Sequence, residues 1–233
     1  VAILLTTVLV LALKIDIPSV GDLASVKGGL PNFSIPPLGY LIIWADEDGK
    51  VPSAYGNFWR QFPVHDENGR AAYNDQIAYV LDQLKNSPMS RRMVVNAWAP
   101  ANAQTSALPP CHAFWVVNVQ IDENGEPYTC LHLTQRSCDI ALGVPYNIAG
   151  YAFLLCLLSH LSGIRPGIFA HTLIDAHIYT AKSDGGMAEF DHIPGLTDQM
   201  ARETRALPTL TIDPSIRSLD DIRALLDDDT ETL

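Results

Sequence analysis

Between Ala113 and Ser162 the sequence leaves few architectures open. Ala113–Ile121 reads AFWVVNVQI, dense in the aromatic and β-branched residues that suit a pleated, half-buried surface. Asp122-Glu123-Asn124-Gly125 follows, with glycine where a tight hairpin turn needs positive φ. Thr129–Gln135 reads as the returning strand. Pro145 then opens a helix from about Tyr146 to Ser162 that is apolar on nearly all sides. Its modest length and its Asn147, Gly150, Ser159 and His160 favour a core helix over a membrane span. A hairpin followed by such a helix predicts an α/β (α+β) domain, a mixed sheet packed with a central buried helix.

The flanking sequence fits that frame. Asp75–Lys85 predicts a helix, with Ile77, Val80, Leu81 and Leu84 on one face, ended by Pro88. Met93–Ala97 reads as a strand, Gly163–Gly167 as a loop, Phe169–Tyr179 as a further strand, and Ser183–Asp191 as a polar insertion. Ile42–Trp44 is strand-like and runs into the acidic turn Asp46-Glu47-Asp48-Gly49. Lys14–Tyr40 has no clear period, and the apolar run Val1–Leu13 is too short for a bilayer and lacks the flanks of a signal peptide. With no repeat and no linker, residues 1–233 read as a single domain, with residues 1–40 an atypical segment.

Charge excludes some partners. The net charge is −11, and seven of the acids lie in Asp213–Leu233. That disfavours general affinity for nucleic acid or an anionic membrane but leaves a small anionic ligand open. Cys111, Cys130, Cys138 and Cys156 are scattered in a chain too large to need staples, which fits reduced thiols in the cytoplasm. Cys130, His132 and Cys138 match no zinc spacing, so no metal is expected.

Three groups of residues carry chemistry. Cys111 stands in Pro109-Pro110-Cys111-His112, where two prolines fix a strand entry and argue against an ordinary core thiol. A nucleophilic thiol needs a nearby cation to hold it as thiolate. Gln135-Arg136-Ser137-Cys138-Asp139 and Ser90-Arg91-Arg92 provide guanidinium forks and hydroxyls suited to that task and to phosphate. His171, Asp175, His177 and Tyr179 share one parity, and on one strand they form a pocket wall or a buried network. Asn147, at the start of the apolar helix, is either a cap or a donor–acceptor pair able to read a uracil-like edge.

From about Trp44 to Thr211 the chain resembles thymidylate synthase. The resemblance is carried by AYGNFWR (Ala54–Arg60), NSPMSRR (Asn86–Arg92), AWAP (Ala97–Pro100), PPCH (Pro109–His112), QRSCDIALGVPYNIAGYAFL (Gln135–Leu154), HTLIDAHIY (His171–Tyr179) and Leu207-Pro208. It implies methylation of dUMP to dTMP with 5,10-methylenetetrahydrofolate as co-substrate. Cys111 would add to C6 of uracil, and Tyr55 would handle the proton at C5. Arg136 and Ser137 would hold phosphate, with Cys138 and Asp139 in the same turn and Asp139 reaching base and pterin. Asn147 would read O4 and N3–H, His177 and Tyr179 would hold the deoxyribose hydroxyl, and Trp44 would line the folate site. Arg91 and Arg92 would reach the phosphate of the neighbouring subunit of a homodimer.

The sequence also departs from the family. Ile174 stands where glycine is usual and Phe58 where glutamine is usual. Residues 1–40 hold no Arg, Glu, His or Trp, so the family's N-terminal phosphate-binding arginine and catalytic glutamate have no counterpart there. Its closing Y-D-P-H-P segment is missing as well. The chain therefore reads as incomplete at both ends and impaired as a synthase. The alternatives are an inactive nucleotide-binding remnant and a pyrimidine nucleotide hydroxymethylase of the same superfamily. The latter typically carries Asp where Asn147 stands.

Overall fold

A computed structural model describes residues 55–100, 103, 109–222 and 224. The readings of Val1–Leu13, Lys14–Tyr40 and Ile42–Gly49 lie outside the described residues.

The described chain opens with α1 (Tyr55–Arg60), then a small hairpin of β1 (Phe62–His65) and β2 (Ala71–Asn74). Its turn, Asp66-Glu67-Asn68-Gly69, repeats the tetrapeptide at Asp122–Gly125, and the two fold alike. In each, the aspartate Oδ1 accepts the N–H groups two and four residues on, at 2.8–2.9 Å, and the glycine has φ of +75° or +84°. α2 (Gln76–Asn86) follows, capped by Asp75, whose Oδ1 accepts from Ala78 N at 2.9 Å. Its Ile77, Val80, Leu81 and Leu84 are all buried, as their spacing predicts.

The main sheet runs β3 (Val94–Asn96), β4 (His112–Ile121), β5 (Pro127–Gln135), β7 (Arg165–Leu173). The first three strands are antiparallel, and β7 lies parallel to β5. The parallel step is made by α3 (Gly143–Ser162), so the sheet is mixed, as expected. On its inner face Trp115, Val117 and Val119 lie opposite Leu133, Leu131 and Thr129. Tyr151, Leu154, Leu155, Leu158 and Leu161 of α3 and the apolar face of α2 join them in one core. Among the described residues α3 is the one helix long and apolar enough to cross a membrane, and here it is the crossover helix on the sheet. Its first turns expose Tyr146 and Ile148, so it is half-covered rather than buried all round.

α3 begins three residues before the expected start. The first N–H groups of a helix bond to no carbonyl within it, so Pro145 fits inside the first turn. The loop expected over Gly163–Gly167 shrinks to Gly163-Ile164. Gly163 caps α3 at φ +77°, while Pro166 and Gly167 already belong to β7. The strand expected over Phe169–Tyr179 is two. β7 stops at Leu173, the chain bends at Ile174-Asp175, and β8 (Ala176–His177) pairs in parallel with β6 (Cys138–Asp139). The bend is fixed by Ile174 N donating to Gln135 O and Cys138 N donating to Asp175 O, at 3.0 and 2.8 Å. A single-turn 3₁₀ helix, Lys182–Asp184, begins within one residue of the expected insertion, and α4 (Ile193–Met200) follows.

Candidate functional site

The site forms where β4 begins, β5 ends and α3 starts. Cys111 is half-buried one residue before β4. Its carbonyl accepts from Arg136 N at 2.9 Å, which ties it to the end of β5. Arg136 donates Nε to Pro110 O (3.0 Å) and Nη2 to Pro109 O (2.7 Å), and its guanidinium lies 5.4 Å from the Trp98 ring centroid. The two prolines thus present carbonyls to the arginine while aiming Cys111 at the same corner. Two of the five arginine N–H donors are spent this way.

Tyr55 closes the corner from α1. Its hydroxyl accepts the N–H of Cys111 at 2.7 Å and of His112 at 3.3 Å, and its ring stacks on His112 at 4.5 Å. Burial and the adjacent Cys111 push the phenol up to about 12, so it keeps its proton. Burial holds His112 down at about 4, despite a hydrogen bond donated to Asn147 that favours the cation and with nearby His171 adding to the depression. His112 is therefore neutral near pH 7.

Gln135 pairs with His112 in the β4–β5 register and ties the site to α3. Its Nε2 donates to Ser137 O at 3.0 Å and to Asn147 Oδ1 at 2.9 Å, and its Oε1 lies 2.9 Å from His171 Nε2. Cys138 is sealed from solvent, with Sγ donating to Gln135 O at 3.4 Å. Burial raises the Cys138 and Cys156 thiols. All four cysteines are free. Asp139 Oδ1 accepts from Ala141 N and Leu142 N at 3.1 and 3.4 Å, shaping the turn into α3. Asp139 lies opposite His177 in the β6–β8 pair, and His177 packs edge-on against Tyr179 at 4.8 Å.

The structure thus brings Cys111, Tyr55, Arg136, Ser137, Cys138, Asp139 and Asn147 to one corner, with His177 beside Asp139 and Tyr179 beside His177. The wall expected from shared parity is not one face. His171, in β7 before the bend at Ile174-Asp175, meets Gln135, whereas at the bend the Asp175 side chain is 73% exposed. Arg91 and Arg92 are exposed at the start of β3. By register Arg92 lies level with Asn118, seven residues from Cys111 along β4, which is roughly 20 Å at strand spacing. Trp44 lies outside the described residues. Sequence reasoning gave no role to His112, Gln135 or Trp98. Gln135 had a signal: it follows Leu131 and Leu133 at core-facing positions, where an amide must be bonded.

The family model for thymidylate synthase matches residues 41–230. A thymidylate synthase of Haloferax volcanii is 48% identical over 172 residues, covering 68% of this chain and 49% of that relative. The chain thus spans about half the length of the curated relative it matches.

Proposed function

The chain belongs to the thymidylate synthase family, and from that membership we propose that it methylates dUMP to dTMP with 5,10-methylenetetrahydrofolate. The observation that carries the reading is the convergence of Cys111, Tyr55, Arg136 and Asn147 on one corner. The Cys111 thiolate adds to C6 of uracil and turns C5 into a nucleophile, which splits one difficult substitution into easier steps. The folate supplies the one-carbon unit and then the hydride that completes the methyl group. Arg136, already anchored by Pro109 and Pro110, sets its remaining donors and positive charge toward phosphate and thiolate, and Ser137 adds a hydroxyl. Asn147 reads O4 and N3–H of the base, and His177 and Tyr179 hold the deoxyribose hydroxyl. Tyr55, protonated at working pH, is a hydrogen-bond donor to the base, water included, that takes the C5 proton, and not that base itself. Loss of the proton releases tetrahydrofolate, whose hydride completes the methyl group and expels the Cys111 thiolate from C6.

The co-substrate side fits what is present. Asp139 Oδ1 accepts from Leu142 N at the entry to α3, and Leu142 and Tyr146 are exposed there, apolar area of the kind a pterin ring covers. The active form is a homodimer, with Arg91 and Arg92 serving the partner's phosphate site. Two features support this: their separation from Cys111, and an outer sheet face that exposes Val94 and Phe114. Free thiols suit a cytoplasmic enzyme.

The test is covalent capture of 5-fluoro-dUMP in the presence of the folate. The chain is expected to gain the mass of the nucleotide–folate adduct, and Cys111→Ser to gain none. Capture by Cys111→Ser at the parental level sinks the assignment.

A further inference from the structure

Asn147 has an ambiguity that its own side chain cannot resolve. An amide presents a donor and an acceptor, and a half-turn about its last torsion exchanges them. Uracil offers an acceptor at C4 and a donor at N3, whereas cytosine offers the reverse. A freely turning asparagine reads both bases equally well. What surrounds Asn147 removes that freedom.

Gln135 is 3% exposed, and its Nε2 and Oε1 are both engaged. The order of atoms follows from one fixed point, the peptide carbonyl of Ser137, which can only accept. The Gln135 atom facing it at 3.0 Å is therefore the amide nitrogen. Its second hydrogen goes to Asn147, so the Asn147 atom facing it at 2.9 Å is oxygen. Oε1 is left facing His171 Nε2 at 2.9 Å, which requires that nitrogen to carry a proton. Turning Asn147 over sets two N–H donors against each other. Turning Gln135 with it sets two carbonyl oxygens against each other at Ser137.

We propose that Gln135 and His171 are positioning residues that lock the Asn147 amide in a single orientation, so that its choice between uracil and cytosine is set one and two residues behind the one that contacts the base. This rests on the reading of Asn147 as the base-contacting residue.

The test is calorimetric titration of dUMP and dCMP into the full chain and four variants. Gln135→Met keeps length but removes both bonds, and His171→Phe keeps an aromatic ring but removes the donor. His171→Gln restores a donor, and Asn147→Asp probes the reading itself. The preference for dUMP over dCMP should fall about tenfold in Gln135→Met and about fivefold in His171→Phe. His171→Gln should recover it. A purely structural role weakens both nucleotides alike and leaves the ratio unmoved. An unmoved ratio in Gln135→Met and His171→Phe, with Asn147→Asp shifting it, overturns the lock and leaves the base reading intact. If Gln135→Met does not fold, the two His171 variants decide by the same criterion. No preference for dUMP in the parent, or none lost in Asn147→Asp, overturns the base reading and the lock with it.

Discussion

The Tyr55 hydroxyl accepts the backbone N–H of Cys111 at 2.7 Å, although 56 residues separate the two. The same oxygen takes the His112 N–H at 3.3 Å. One phenol therefore satisfies two backbone donors at the entry to β4 and stands against Cys111. Tyr55→Phe should cost about 1–3 kcal/mol of stability through the orphaned donors. Turnover should fall further, on the order of 10²-fold, as expected for a lost proton-handling group. KM for dUMP should change little. Denaturant titration and steady-state kinetics separate the two effects. A fall in turnover matching only the loss of folded protein leaves the hydroxyl a purely structural role.

His112 makes stability depend on pH. Burial holds it neutral in the native state down to about 4, against 6.5 when free. Between these values the unfolded chain binds the proton and the native chain does not, so stability falls as pH drops through that window. Above pH 6.5 the group contributes no slope. The slope is about 1.4 kcal/mol per pH unit, near 3 kcal/mol over the whole window. Urea unfolding at pH 7 and pH 4.5 should show the loss, and His112→Gln should remove most of it. An equal loss in His112→Gln assigns the acid sensitivity to another group.

Much of this was legible in the sequence where local pattern and tertiary context agree. The α2 face and the β4–β5 hairpin follow from spacing and turn chemistry alone. The β1–β2 hairpin carried the same Asp-Glu-Asn-Gly turn as β4–β5, but its short strands bury too little to form a pattern. The break after Leu173 was hidden because nothing in HTLIDAHIY marks a bend, which is imposed by bonds to Gln135 and Cys138 far away in sequence. At the site, the motifs marked Cys111, Arg136 and Asn147. The bonds linking Asn147 to His171 through Gln135 depend on three elements meeting, and no single segment shows them. Phe58, where glutamine is usual, is 2% exposed and packs against Phe62 in the core.

Gly167 sits in a strand because a side chain there has no room. A Cβ at that position would lie 2.2 Å from Tyr128 Cδ2 and 3.0 Å from Thr129 O. The Tyr128 ring is held in place by Arg165, whose guanidinium lies 4.9 Å from its centroid. Gly167→Ala should destabilise by about 1–3 kcal/mol, through displacement of the ring and strain against the β5 backbone. Combining it with Tyr128→Ala should cost less than the two single changes added together, because the clash with the ring is then gone. Denaturation midpoints of the four proteins measure the coupling. Strict additivity would show that the ring moves aside freely.

Arg91 and Arg92 test the dimer directly. They lie roughly 20 Å from Cys111 along the sheet, too far to serve the corner of their own chain where phosphate is proposed to bind. If each pair serves the neighbouring subunit, an Arg91→Ala/Arg92→Ala chain has a complete catalytic corner but lacks the partner's guanidinium groups. A Cys111→Ser chain has the reverse defect. Each homodimer should be nearly inactive. In a heterodimer, the corner with Cys111 intact receives Arg91 and Arg92 from the Cys111→Ser subunit, so one site of two is restored. Unfolding and refolding an equal mixture makes half the dimers mixed and should return about a quarter of the parental activity. Sedimentation of the refolded mixture confirms that dimers formed. Dimers without recovered activity would mean that the arginines act within their own chain, against the register of β3 on β4. Full activity of the double arginine variant alone would remove them from the site altogether.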